Sequence, residues 1–250
     1  MTAQLTHDAF LCGKLHLWQP KHGYRAATDA VLLAAACPAV AGQSVLDLGC
    51  GVGAASLCLA SRVAGLAQTG LELQEDYAAL ARQNAAENGV ALNVVVGDLT
   101  AMPAPLRVGF DHVIANPPWY PRAGSPSPVL GRDTALRAEL PLAEWVAAAS
   151  KRLEPGGWLT MIFGTDGLPE VLSALAPRLG SAVVLPLAAR EGRPALRVIL
   201  RARKGGRAPF RLLAPLVTHQ GAVHDGDRES YTARANAVLR EGADLSAEFG

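Results

Sequence analysis

The run Val45-Leu-Asp-Leu-Gly-Cys-Gly-Val-Gly53 constrains this chain most: a short apolar stretch that empties into glycines at every second position. Ser44 to Leu48 is short, apolar and bounded by glycine, so it reads as a strand buried on both faces, the habit of parallel sheets. Gly49, Gly51 and Gly53 permit a tight turn and a close approach of backbone to a ligand. Ala54 to Val63 reads as a helix whose N-terminus opens onto that turn, with its backbone N–H groups facing outward. A strand passing through glycines into a helix is the unit by which open α/β sheets hold nucleoside-bearing ligands. The spacing here is GxGxG, which argues against the GxGxxG fingerprint of dinucleotide oxidoreductases.

The alternation continues along the chain. Strands are expected at Thr69 to Leu73, Leu92 to Val96, Phe110 to Ala115 and Trp158 to Phe163. Helices are expected at Asp29 to Cys37, Glu75 to Asn88 (stopped by Gly89), Leu142 to Leu153 (ended by Pro155-Gly156-Gly157), Leu168 to Leu179 and Tyr231 to Arg240. Residues 1 to 25 read as irregular with a short hairpin. Ala182 to Leu187 and Ala195 to Arg203 are β-rich with only a short linker between them, so they should pair antiparallel. The fold class that follows is α/β: a Rossmann-like, doubly wound, mostly parallel sheet closed by an antiparallel C-terminal hairpin. The expected organisation is an N-terminal extension over residues 1–40 packed on one globular domain over residues 41–250.

Composition suits that architecture. The chain has 250 residues, half of them hydrophobic, and a formal net charge of +1, so no global basic field calls for nucleic acid. The charge is nonetheless uneven: eight Lys or Arg and a single acid, Glu191, fall between Arg190 and Arg211. That stretch is either a solvated face or a phosphate-facing patch, with Arg197, Arg201, Arg203 and Lys204 the phosphate candidates; strand alternation would split these four between two faces. Cys12, Cys37, Cys50 and Cys58 show no zinc spacing, and a reducing, cytoplasmic compartment is expected. Met1 to His16 lacks a basic segment followed by an apolar core, so no export signal is read. Ala30 to Ala41 is interrupted by Pro38 and too short to span a bilayer. His219 and His224 lack supporting cysteines or carboxylates, so no metal is expected; His112, inside a strand, reads as structural.

Three acids lie at or just after the ends of expected strands, where open α/β sheets bind ligands. Glu72, 19 residues after Gly53, can accept two ribose hydroxyls; Asp98 can accept an exocyclic amine; Asp47 can support the turn or a ligand ammonium. After the Phe110 to Ala115 strand comes Asn116-Pro117-Pro118-Trp119-Tyr120. The two prolines fix φ and remove two backbone donors, so the Pro117 carbonyl faces no competing N–H. That carbonyl and the Asn116 amide oxygen offer two acceptors for the two hydrogens of a planar NH2 group, and Trp119 offers a face for stacking. An amino nitrogen conjugated to a ring or carbonyl is a poor nucleophile. Holding both hydrogens out of its plane frees the lone pair for attack.

Read together, the glycine turn, Glu72, Asp98 and the Asn-Pro-Pro-Trp-Tyr run resemble the class I S-adenosylmethionine-dependent methyltransferases, amino-group branch. More closely, the chain resembles the bacterial tRNA1(Val) (adenine-37-N6)-methyltransferase family. Gly23-Tyr-Arg-Ala-Ala-Thr-Asp-Ala-Val-Leu-Leu33 is similar to that family's N-terminal motif, Arg122 to Asp133 to its segment after the Asn-Pro-Pro run, and His224 to Tyr231 to its C-terminal stretch. The resemblance implies a seven-stranded sheet, S-adenosylmethionine as cofactor, Thr28 and Asp29 lying against it, and an unpaired adenine of a tRNA anticodon loop as acceptor. Trp119 departs from the family's usual Tyr or Phe; stacking survives that change, but the pocket's shape is altered. Guanine N2 of ribosomal RNA, a protein glutamine amide, or RNA binding without catalysis are the alternatives on the same fold.

Overall fold

The computed structural model describes residues 4–118, 140–221 and 230–250. The chain opens with an antiparallel hairpin of two six-residue strands, β1 (Leu5–Phe10) and β2 (Leu15–Pro20). Helix α1 (Thr28–Ala36) is buried along almost its whole length, as its unbroken Ala/Val/Leu content dictates. The alternating units follow: β3 (Ser44–Leu48), α2 (Ala54–Arg62), β4 (Ala67–Glu72), α3 (Glu75–Glu87), β5 (Leu92–Val96) and β6 (Phe110–Ala115). After residue 140 come α4 (Leu142–Arg152), β7 (Leu153–Gly164), α5 (Leu168–Leu175), β8 (Leu179–Ala188) and β9 (Ala195–Lys204). Two short strands, β10 (Arg211–Leu212) and β11 (Leu216–Val217), and the helix α6 (Ala233–Glu241) complete the described elements.

Apart from the β1–β2 hairpin, the strands of the described residues form one nine-stranded sheet, against the seven expected, in the order β10-β8-β9-β7-β6-β3-β4-β5 with β11 also alongside β8. Seven long strands carry the doubly wound architecture, and the two two-residue strands extend its β8 edge in parallel. Only β9 runs against its neighbours, pairing antiparallel with both β7 and β8. The strand order reverses around β3, which has β4 on one side and β6 on the other. A crevice therefore opens at the carboxyl ends of β3 and β6, where the connections diverge to opposite faces.

Period-two alternation divides the core in two. Val45, Ile114, Ile162 and Ile199 face one layer with Leu33, Leu57 and Leu59 of α1 and α2. Leu46, Val113, Met161 and Leu200 face the other with Trp145, Val146 and Val171 of α4 and α5. The hairpin is held on the first side by Asn84, which is fully buried: its Oδ1 accepts from Trp18 N at 2.8 Å, and its Nδ2 donates to Trp18 O at 3.1 Å and Val52 O at 3.0 Å.

Two boundaries differ most from the sequence expectation. Helix α4 ends at Arg152, and β7 begins at once with Leu153, which pairs with Phe110; the register then shifts before His112 meets Trp158. Pro155-Gly156-Gly157 is thus a bulge inside β7, because burying Leu153 beside Phe110 outweighs a clean stop. Helix α5 ends at Leu175 and not at Leu179: Ala176 precedes Pro177 and is extended (ψ 146°), as a residue before proline is driven to be. Among the described residues no helix is long and apolar enough to cross a membrane.

Candidate active site

The glycine turn folds back over the end of β4. Gly49 N and Cys50 N both donate to Leu71 O, at 2.8 and 3.0 Å, and Gly49, Gly51 and Gly53 have φ of +68°, +57° and +84°. The close approach needs glycine on both partners. A Cβ on Gly49 would lie 2.8 Å from the Trp145 ring, and one on Gly70 would lie 2.6 Å from Cys50 Sγ.

The three acids are differently placed. Glu72 is completely buried; its Oε2 accepts from Gly51 N at 2.9 Å and its Oε1 from Gln74 N at 2.8 Å. It therefore clamps the turn to the end of β4. Asp47, also buried, accepts from Ser56 Oγ of α2 at 2.7 Å. Burial is the main cause that pushes its carboxyl up to about 7, with the nearby Glu72 charge adding to it and the Ser56 bond opposing. Asp98 is exposed and accepts from Thr100 N and Oγ1, both at 2.8 Å, through Oδ1. Asp98 stands at the rim of a cleft of about 370 Å³ whose walls include Gly49, Leu71, Leu73 and Trp145. Apolar walls, a carboxylate at the rim and a turn with no room for a Cβ fit a purine nucleoside.

A second cleft, of about 670 Å³, is lined by Tyr24, Asp29, Asn116, Pro117, Phe163 and Arg197. Asn116 follows β6 directly and donates through Nδ2 to Tyr24 Oη at 3.1 Å, which leaves its Oδ1 to accept from a ligand. Asp29 Oδ2 is 3.0 Å from Arg197 Nε. Thr28, exposed at the start of α1, lines the neighbouring groove with Phe10, Cys12 and Tyr231, and Ala27 borders both spaces. Trp119, Tyr120 and the segment Arg122 to Asp133 lie outside the described residues, as does His224.

Tyr24 is the site residue that sequence reasoning missed. Its ring lies beside the glycine turn, 3.6 Å from where a Gly51 Cβ would stand, and its hydroxyl meets Asn116. Tyr77 Oη donates to its carbonyl at 3.1 Å and holds its backbone. Burial, followed by the charges of Asp29 and Asp47, raises the Tyr24 pKa, so the hydroxyl stays protonated. The available signal was its place within the Gly23 to Leu33 motif, four residues before Thr28, but no spacing rule ties a tyrosine there to a turn after β3.

The remaining candidates separate cleanly. His112 is buried in β6, its Nε2 2.8 Å from Gln43 Oε1, and burial lowers its pKa to about 4. His219 stacks on Tyr231 with ring centroids 4.9 Å apart. Of the phosphate candidates, Arg197 pairs with Asp29, Arg201 is buried, and Arg203 and Lys204 donate to the carbonyls of Gly156 and Leu153.

Comparison with known proteins bears on this geometry. Residues 26–175 match the model of the methyltransferase small domain. The tRNA1(Val) (adenine(37)-N6)-methyltransferase of Shewanella sp. (strain MR-4) is 30% identical over 174 residues, covering 67% of this chain and 72% of that protein. The protein of the same name from Aeromonas hydrophila is 28% identical over 204 residues, covering 80% and 85%. A solved structure from Agrobacterium tumefaciens, described as a predicted O-methyltransferase, superposes with a TM-score of 0.71 at 26% identity, covering 87% of this chain and 98% of that one. The Thermus thermophilus 16S rRNA N2 G1207 methyltransferase, solved with AdoMet and guanosine, superposes at 0.56 with 21% identity, over 80% and 50%, and is alike in fold alone.

Proposed function

This chain belongs to the methyltransferase small domain family, and on that premise we propose that it transfers a methyl group from S-adenosylmethionine to N6 of an adenine in a tRNA anticodon loop. The carrying observation is the juxtaposition across the β3/β6 crevice: the glycine turn on one side, Asn116 on the other, and Tyr24 lying beside the first and hydrogen-bonded to the second. The acceptor follows the names of the curated relatives, 28–32% identical over two thirds or more of this chain in most cases.

In this reading Gly49, Gly51, Gly53 and the buried Glu72 hold the nucleoside end of the cofactor, Asp98 its purine amine, and Asp47 and Asp29 the polar end. When bound, the cofactor supplies a sulfonium methyl electrophilic enough to be attacked directly by nitrogen. Asn116 Oδ1 and the Pro117 carbonyl accept the two amino hydrogens and turn the lone pair out of the ring plane, while Pro118 stiffens the loop and Trp119 supplies a stacking face. The surplus proton leaves afterwards to water, so no general base is assigned. A single-hydrogen hydroxyl acceptor would use only one of the two acceptors, which favours nitrogen over oxygen as the nucleophile. Residues 1–40 serve as an extension packed on the catalytic domain of residues 41–250, and the enzyme works in the cytoplasm on tRNA.

The test is transfer of labelled methyl groups into tRNA, ribosomal RNA and protein from cells lacking the gene, followed by nucleoside analysis. N6-methyladenosine in tRNA is expected. Label in N2-methylguanosine or in glutamine would overturn the substrate, and no label with cofactor still bound would overturn catalysis. The Asn116→Ala variant is expected to lose about 10²–10³-fold in kcat with S-adenosylmethionine affinity, measured by calorimetry, little changed.

A further inference from the structure

Strand β9 carries cations at both ends. At one end Arg197 faces Gly164 across the β7 pairing, beside the acceptor cleft; at the other Arg203 faces Trp158. They lie six residue steps apart along the strand, about 20 Å, so what binds at the far end cannot touch the reacting base.

That far end forms a cleft of about 680 Å³ lined by Trp158, Ser181, Arg201, Arg203, Arg211 and Phe249. Arg201 is 95% withdrawn from solvent, with 5% exposure, and its Nε has no hydrogen-bond partner among the described residues. Its guanidinium lies between the Trp158 and Phe249 rings, 4.7 and 4.8 Å from their centroids, and Arg203 approaches Trp158 at 5.5 Å. These contacts stabilise a cation without neutralising it. The hydrogen bonds these arginines make go to carbonyls: Arg201 to Ser246 O, Arg203 to Gly156 O and Arg211 to Phe249 O. No carboxylate pairs with any of the three among the described residues. Burial is the main cause that holds the Arg201 pKa down to about 10; the Cys37 and Asp244 charges oppose it and the Arg211 charge adds to it. Three guanidiniums sharing one concave site, with no carboxylate in ion-pair contact among the described residues, are complementary to a multiply hydrogen-bonding oxyanion.

We propose that this cleft binds a backbone phosphate of the substrate RNA, about 20 Å from the methylated base. The inference rests on reading the chain as an RNA methyltransferase. Its function is to register the RNA on the domain's own surface while the acceptor cleft reads the base.

The experiment measures binding of unmodified tRNA across a salt series for wild type, Arg203→Gln/Arg211→Gln and Arg203→Lys/Arg211→Lys. Both side chains are exposed, and matched thermal midpoints check that the variants fold. The Gln variant is expected to bind tRNA about tenfold more weakly or worse, with the slope of log K against log salt shallower by about one to two. The Lys variant should keep most of that slope. Methylation should lose in KM for tRNA and not in kcat, and a trinucleotide centred on the target adenine should respond equally to all three proteins. Unchanged tRNA affinity and slope would overturn the proposal. So would an equal loss with the trinucleotide, which would place the effect at the reacting site, or tight binding of inorganic phosphate with tRNA binding unaffected, which would assign the cleft to a small phosphorylated ligand. Wild type failing to methylate tRNA adenine overturns the proposed function, whereas the salt slope reads RNA contact whichever base is methylated.

Discussion

Asp47 is the residue whose chemistry the fold changes most. Its folded pKa of about 7 lies above the ordinary carboxylate value. Folding therefore favours the protonated form, and this contribution to stability is full below about pH 4 and lost as pH rises to about 7. Against Asp47→Asn, which removes the ionisation, the wild type should lose relative stability across that window, on the order of a few kcal/mol; urea midpoints of the two proteins between pH 4 and 8 measure it. A difference that is flat with pH would mean that Asp47 does not titrate abnormally. At Gly49 the backbone itself is at stake. Gly49→Ala sets a Cβ at φ +68° and 2.8 Å from Trp145, costing about 1–2 kcal/mol for the dihedral alone. Cofactor affinity should fall with stability, seen by calorimetry and denaturant unfolding. The strand-end acids were legible because strand ends are periodic features. That Glu72 would spend bonds on Gly51 and Gln74, and that Tyr24 would reach Asn116 across 92 positions, was not, since neither contact has a local pattern.

At the scale of elements, the N-terminal hairpin is tied to α3 through side-chain amides that read its main chain: Asn88 accepts from His16 N and donates to His16 O. Asn84 of α3 satisfies the main chain of Trp18 in both directions and also the Val52 carbonyl. Gln19 of β2 does the same for Ala26 further along, accepting from its N–H at 2.8 Å and donating to its carbonyl at 3.3 Å. The hairpin is thereby tied to the segment that carries Tyr24. Asn84→Ala leaves one buried and two part-buried main-chain groups without their partner and should destabilise by about 2–4 kcal/mol, with amide exchange in β2 rising more than in β3. Equal exchange in both strands would show that the hairpin does not open by itself. Strand and helix positions were read closely wherever apolar runs met glycine or proline, as at Ser44–Leu48 and Leu92–Val96. They slipped where pairing overrode local punctuation, as at Leu153, and at Ala176, where the proline's influence reached back one residue.

The whole molecule is built on a sheet with the proposed reacting groups at the carboxyl ends of its central strands and an arginine cleft at the opposite end of β7 and β9. The sequence by itself determined the fold class, the glycine turn, the strand-end acids and the Asn-Pro-Pro device, because each depends on backbone freedom or side-chain chemistry within a few residues. Strand order was open until the tertiary structure placed β6 beside β3 and so brought Asn116 to the same crevice as the turn after β3. It also resolved the basic stretch: Arg197 to an ion pair, and Arg201, Arg203 and Arg211 to one cleft. Charge content is a property of the chain, but whether a charge meets a carboxylate, a ring or solvent depends on neighbours that only long-range packing supplies.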